Sequence, residues 1–358
     1  MKVRIVCYED VNAWILGKFA LKMQDCLIKL DVDADISQVA DKYADINHHI
    51  IYEDFNSISS GIDTLMITHI DSNQKLAHLQ HVINSASLGI CMSNDTMLRL
   101  ASLGLPREKL CYVNPAHDGD FIPKRIQIGY MSRWYADGRK REYQLKNLIN
   151  HLDERYFGFK IMGQGWDFLV NLMIKNGFQV EYMPNFNLEI YKRMMSEIDY
   201  YLYTGLDEGQ MGFVDALASG VKTIVTPQGY HLDVEDGITF KYNETKELIQ
   251  IFDSIYHEKI RLIESVKSWT WENYTNKHLE LWNFLLGNRT KVISNFNYRD
   301  GIYSLLDDNK KSNIQTISSG KLKLWLYING LRRNIYIWYH IFMSKRFWSR
   351  QLGKIFKK

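Results

Sequence analysis

Cysteine is scarce in this sequence. The four present, Cys7, Cys26, Cys91 and Cys111, are scattered, with no C-x-x-C pair among them. That spacing excludes a disulfide frame and a zinc site of the usual kind, and it fits a reducing compartment. Prolines number five, and two of them fall in one stretch, residues 114–125. No run of ~18 apolar residues occurs, so no segment is expected to cross a bilayer as a helix. The start, MKVRIVCYEDVNAW, reads as a strand followed by acids and lacks the charged-then-apolar pattern of a secretory leader. Acids are missing from residues 321–358, where ten Lys and Arg stand, a local charge of +10. The rest of the chain sets 34 basic against 41 acidic residues, so a mildly acidic body carries a strongly basic tail.

What is present is an ordinary globular composition, 46% hydrophobic and 24% charged, over a length that suggests about two domains of ~150 residues and an extra piece. Strand-like and helix-like segments alternate. The pattern predicts strands at 3–7, 49–52, 65–68, 89–92 and 110–113. Between them it predicts a helix capped by Asn12 with the stripe Ile15, Phe19, Met23, Cys26 and Leu30, and helices over 74–86 and 96–103. The proline-bearing stretch 114–125 reads as a linker. The alternation then restarts. Strands are expected at 126–131, 159–162, 180–183, 200–203 and 223–225, and helices at 142–152, 166–176, 188–198 and 213–219. Gly177 and Gly220 act as helix stops. Such alternation means parallel sheets covered by helices, here in two doubly wound domains, with a ligand site expected in the cleft between them at the strands' carboxyl ends.

The stretch LDEGQMGFVDALASG, residues 206–220, brings carboxylates and glycines together ahead of a short helix. A helix N-terminus offers free N–H groups and a positive dipole end to an anion, and glycine lets a phosphate approach the backbone. Carboxylates would repel that phosphate, so they must serve sugar or ribose hydroxyls. A ligand with a diphosphate between two sugars, a nucleotide sugar, fits all of these groups.

The chain resembles GT-B-fold retaining glycosyltransferases of the large nucleotide-sugar-dependent group. That group carries an acid, seven residues, a second acid and A-x-A-x-G; here Asp207 and Asp215-Ala-Leu-Ala-Ser-Gly220 match the spacing, with aspartate where glutamate is usual. Gly129-Tyr-Met-Ser-Arg133 with Lys140 is similar to the group's Gly-Arg and following Lys-Gly, Arg141 standing in place of the second glycine. Ile161-Met-Gly163-Gln-Gly165-Trp166 and the run from Trp269 to Trp282 add to the likeness, which covers about residues 1–286.

The resemblance implies two Rossmann-like domains, 1–120 on the acceptor side and 121–286 for the nucleotide sugar, with 287–358 as linker and tail. It implies that Arg133 and Lys140 stabilise the leaving diphosphate with the amides of Gly212 and Phe213. Asp215 would take the ribose, and Asp207 or Glu208 would sit near the donor sugar. His69, ending TLMITHID, would face the donor sugar from the first domain; Gly129 and His231 would line the donor site. No metal or other cofactor is expected. His48-His49 reads as a strand edge, and Asp31, Asp33 and Asp35 as a solvated turn.

Within the tail, Leu324, Ile328, Leu331, Ile335, Trp338 and Phe342 recur at helical spacing among nine aromatics. That pattern suits a helix lying in an anionic membrane interface. No nucleic-acid module accompanies it. The expected protein is a cytoplasmic enzyme, peripheral at the inner membrane face, that moves a sugar to a saccharide or lipid-linked acceptor in surface-polysaccharide synthesis. A sugar-nucleotide epimerase on the same fold and a non-catalytic binding subunit are the alternatives.

Overall fold

A computed structural model describes residues 1–56, 61–287 and 319–343. The expected linker at 288–318 and the end of the tail at 344–358 lie outside the described residues. The chain forms two compact units, Met1–Gly119 with Ser268–Lys358, and Asp120–Lys267.

In the first unit, six parallel strands, β1 (Lys2–Val6), β2 (Asp33–Ser37), β3 (Ile46–His49), β4 (Ile62–Ile67), β5 (Leu88–Cys91) and β6 (Leu110–Tyr112), lie in the order β2-β1-β3-β4-β5-β6. Helices α1 (Ile15–Lys29), α2 (Asn73–Ser85) and α3 (Asn94–Ser102) connect them. The second unit has β7 (Ile126–Met131), β8 (Phe157–Met162), β9 (Gln179–Met183), β10 (Tyr200–Tyr203), β11 (Lys222–Val225) and β12 (Phe240–Lys241), ordered β12-β11-β10-β7-β8-β9. Its helices are α4 (Glu142–His151), α5 (Asp167–Lys175), α6 (Leu188–Glu197), α7 (Met211–Ala218) and α8 (Thr245–Glu264). That order is the doubly wound dinucleotide pattern, in which the sheet grows one way from β7 to β9 and the other way from β10 to β12. The crevice outside the carboxyl ends of β7 and β10 is therefore the place where the topology leaves room for a ligand.

The period of two along each strand divides the core. Ile128, Tyr130, Leu202 and Ile224 pack with Leu148, Leu169 and Phe252 on one face, while Met131, Tyr201, Tyr203 and Val225 pack with Met195 and Phe213 on the other. In the first unit α9 (Trp271–Leu285) returns from beyond the second unit and buries Trp271, Tyr274, Leu281 and Trp282 against Val3, Ile5, Ile46 and Met66. Then α10 (Ser319–Met343) packs Leu322 and Leu326 against Leu103, Ile70 and Leu76. The stripe Leu324, Ile328, Leu331, Ile335 and Trp338 is exposed, and the side chain of Phe342 lies outside the described residues.

The two-series α/β fold class stands as expected, with local corrections. Helix α1 is capped at Trp14 rather than Asn12, whose N–H instead bonds the Asp10 carboxylate in a turn. Asp33 and Asp35 lie on the edge strand β2, with only Asp31 in a turn at φ 55°. His48 and His49 are fully buried on β3, an interior strand between β1 and β4, and not at an edge. Their polarity masks an apolar run because Thr64 and Asp63 on β4 hydrogen-bond the two rings at 3.0 Å each.

Candidate functional site

The loops after β7 and β10 carry most of the candidate residues. Chain 204–210 is pinned before it reaches α7. Lys140 is buried and donates to Asp207 Oδ2 at 2.8 Å and to the Tyr203 hydroxyl at 2.9 Å; Tyr203 in turn donates to Asp207 Oδ1. Burial acts to raise the pKa of Asp207, but the hydrogen bonds from Lys140 and Tyr203 outweigh it and hold the carboxyl below its ordinary range. Of the two neighbouring acids, Asp207 thus turns inward, and Glu208 is exposed.

Arg141 sets the same loop from below. Its backbone is left-handed, φ 47°, ψ 49°, where glycine is the easy residue. Its buried guanidinium donates to Thr204 O at 2.5 Å, to Asn243 O at 2.9 Å and to the Thr226 hydroxyl, joining the ends of β10 and β11 to the start of α8. Gln210, the N-cap residue of α7, donates to Met131 O at 2.8 Å through its side-chain amide and so ties α7 to the end of β7.

These pins leave a cavity of 590 Å³ at the β7/β10 crevice. Arg133, Gly163, Tyr191, Gly212 and Asp215 line it, with Phe186 at the mouth. Gly163 has φ 134°, and a side chain there would run into Ser132 O, so the β8 turn must be glycine to lie this close to the β7 turn. Arg133 is exposed and, among the described residues, has no ion-pair partner; its guanidinium lies 5.8 Å from the Tyr135 ring, which Lys140 also approaches at 5.8 Å. Asp215, half-buried one turn into α7, accepts from the Tyr191 hydroxyl at 2.5 Å. The rings of Phe186 and Tyr191 stand 5.6 Å apart.

The structure brings Arg133, Lys140, Asp207, Gly212, Phe213, Asp215 and His231 into one unit; His69 belongs to the other. Several have different duties from those expected. Lys140 is taken up by Asp207 and Tyr203. The Phe213 N–H bonds Gln210 O at 2.8 Å and its side chain is core, so the opening amides of α7 are those of Met211 and Gly212. Gly212 is glycine because a Cβ would meet the Tyr201 hydroxyl at 2.6 Å, and Gly129, in the middle of β7, because a Cβ would meet Ile198 at 2.4 Å.

His231 is fully buried, accepts from Gln210 N–H at 3.1 Å and pairs with Thr226 O at 3.3 Å. Burial pushes its pKa down, and its two ring nitrogens tie the 226–231 loop to the start of α7. His69 is exposed at the end of β4, 3.2 Å from the Lys75 ammonium. Tyr203, Tyr191 and Gln210 were not singled out in the sequence. Lys140 and Tyr203 are 63 residues apart, and no local pattern links them.

The order of strands defines a doubly wound α/β protein with a cavity at its switch point. Solved structures of similar architecture include Anabaena HepE in complex with UDP and glucose, at 12% identity over 81% of this chain and 98% of that one, with a TM-score of 0.29. Sucrose-phosphate synthase from Thermosynechococcus elongatus gives 11% identity over 80% and 99% of the two chains and a TM-score of 0.33. The lipopolysaccharide outer core galactosyltransferase WaaB, in its apo form, gives 11% over 81% and 100%, with a TM-score of 0.32. No protein-family model matches the chain, and no curated protein matches it in sequence.

Proposed function

We propose that the protein is a glycosyltransferase whose second unit binds a nucleotide-sugar donor. The observation that carries this reading is the switch-point cavity, where an exposed guanidinium, a helix N-terminus and a carboxylate line one space. Its 590 Å³ falls within the ~300–1,000 Å³ of small-ligand sites. A diphosphate suits Arg133 and the first turn of α7, since charge-assisted bonds from a guanidinium and a helix dipole both favour it. Asp215 repels phosphate and therefore suits ribose hydroxyls, with Tyr191 holding one of its oxygens. Phe186 and Tyr191 offer ring faces to a base.

In the reaction, the bond from the sugar's anomeric carbon to the diphosphate oxygen breaks, and one to an acceptor hydroxyl oxygen forms. The acceptor's proton passes to the released diphosphate or to water. Arg133 stabilises the charge that develops on the leaving group, so this reading needs no metal there. The Lys140–Tyr203–Asp207 cluster positions the loop that leads into α7 at the donor cavity. The resemblance of the motifs adds the finer reading: a hexosyl group transferred with retention to a saccharide or lipid-linked saccharide in surface-polysaccharide synthesis. The exposed apolar stripe of α10, with the Lys and Arg of the same helix, adds a seat on the cytoplasmic face of an anionic membrane.

The experiment is a panel of UDP-, GDP-, ADP- and dTDP-sugars, with and without mixed saccharide acceptors, read for nucleotide release and glycoside formation. A transferase makes glycoside only when acceptor is present, and NMR of the product anomer tests retention. Conversion of the donor alone marks an epimerase, and no turnover with any donor marks a binding subunit.

A further inference from the structure

The first unit holds a second cavity, of 180 Å³, in the space where the chain leaves β4 and enters α3. Thr68, His69, Thr96 and Arg99 give it polar walls, and α10 closes it with Trp325. Its floor is apolar: Leu322 and Leu326 are 8% and 1% exposed. These two leucines fix α10 to the body, so Trp325, between them in sequence, is held in place while remaining 48% exposed. The Arg99 Nε is buried and has no hydrogen-bond partner among the described residues, although another nitrogen of the same guanidinium pairs with Asp95 at 2.9 Å. The space is smaller than the ~300–1,000 Å³ of a nucleotide-sized site. It suits a single sugar ring, whose C–H face stacks on an indole and whose rim of hydroxyls meets Thr, His and Arg.

The far face of α10 bears on what that sugar is attached to. Leu324, Ile328, Leu331, Ile335 and Trp338 point away from the body and are exposed, with Lys321, Lys323 and Arg332 on the same helix; Arg333 turns back to the body, 3.9 Å from Asp71. A helix that packs by one face and offers an apolar, cationic face to its surroundings matches a bilayer with anionic headgroups. We infer that α10 is a wall of the acceptor site: the Trp325–His69–Arg99 cavity takes the saccharide end of a glycolipid whose lipid lies in the membrane against the exposed stripe. This deepens the transferase reading and rests on it for the word acceptor. The cavity itself belongs to the first unit and is separate from the nucleotide cavity.

The test uses the full chain and titrates octyl glycosides of glucose, galactose, mannose and N-acetylglucosamine below their micelle concentrations by calorimetry. UDP, GDP, ADP and dTDP are titrated into the same preparations. At least one octyl glycoside is expected to bind. Trp325→Ala is expected to weaken it by at least about tenfold, a size usual for a buried aromatic anchor. Trp325→Phe, which keeps a ring face, is expected to retain most of the affinity, and Arg99→Gln to lose part of it. Phe121→Ala, an exposed ring of the second unit, leaves glycoside binding unchanged. Binding of none of the four glycosides, or equal binding by wild type and Trp325→Ala, overturns the inference. Loss of nucleotide binding in the wild type sinks the transferase reading instead, so the two failures are told apart.

Discussion

Arg133 and Arg141 sit eight residues apart and do opposite things with the same functional group. Arg133 leaves its guanidinium in solvent at the cavity, whereas Arg141 spends its guanidinium on three acceptors of its own chain. Arg133→Ala is therefore expected to leave folding intact and remove about 2–4 kcal/mol of transition-state stabilisation, a loss of roughly 30- to 1,000-fold in rate. Steady-state kinetics with the best donor checks this, and an unchanged rate would place the diphosphate elsewhere. Arg141→Gly suits the left-handed backbone yet deletes charge-assisted bonds. A net destabilisation of about 2–4 kcal/mol in urea unfolding is expected, and a neutral result would mean that backbone relief matches the lost bonds. Asp207 follows from its pairing: a carboxyl held below its usual range stabilises the fold above its unfolded value, near pH 4, and that contribution disappears as pH falls through the lower folded value.

Among the elements, α9 carries a pH dependence of its own. His278 and His48 are fully buried with ring centroids 5.0 Å apart, and among the described residues neither Nε2 has a hydrogen-bond partner. Burial lowers the pKa of His278 to about 4 and that of His48 well below its ordinary value. Below about pH 6.5 the unfolded chain takes up protons that the folded chain refuses, so stability falls as pH drops from there toward 4. Thermal melts from pH 7 to 4 are expected to show this fall, and His278→Leu to flatten it. An equally steep fall in the variant would assign the acid sensitivity to other groups.

Element by element, the sequence was most legible where an apolar period coincided with a stop signal. The strands 126–131 and 200–203 and the glycine ends of α5 and α7 fall where expected. It was least legible where polar residues are buried in pairs. His48 and His49 on β3 hide an interior strand, and Asp33 and Asp35 hide an edge strand on which Asp35 is met by Arg4 at 2.5 Å. Helix α8 and strand β12 were not anticipated, although Glu244 and Glu247 form a capping box at the start of α8. In the site, spacing located the 207–215 loop, but the roles of Lys140, His231 and Gly212 depend on Tyr203, Gln210 and Tyr201, which only the folded sheet brings to them.

For the whole molecule, the basic tail is in part packed body and in part free surface. Removing all of it would bare Leu103, Ile70 and Leu76, so the informative change is on the exposed face alone. Leu331→Ser, Ile335→Ser and Trp338→Ser together are expected to abolish flotation with vesicles of one part phosphatidylglycerol to three of phosphatidylethanolamine while thermal stability is kept. Undiminished flotation would exclude the stripe as the membrane seat. If the β7/β10 cavity holds the nucleoside diphosphate of a sugar donor, calorimetric titration of UDP, GDP, ADP and dTDP, with their nucleosides, into wild type, Arg133→Ala and Asp215→Asn will show it. At least one nucleoside diphosphate is expected to bind the wild type, Arg133→Ala to weaken it without weakening the matching nucleoside, and Asp215→Asn to weaken both. Binding of none of the four, or equal binding by all three proteins, would contradict that assignment of the cavity.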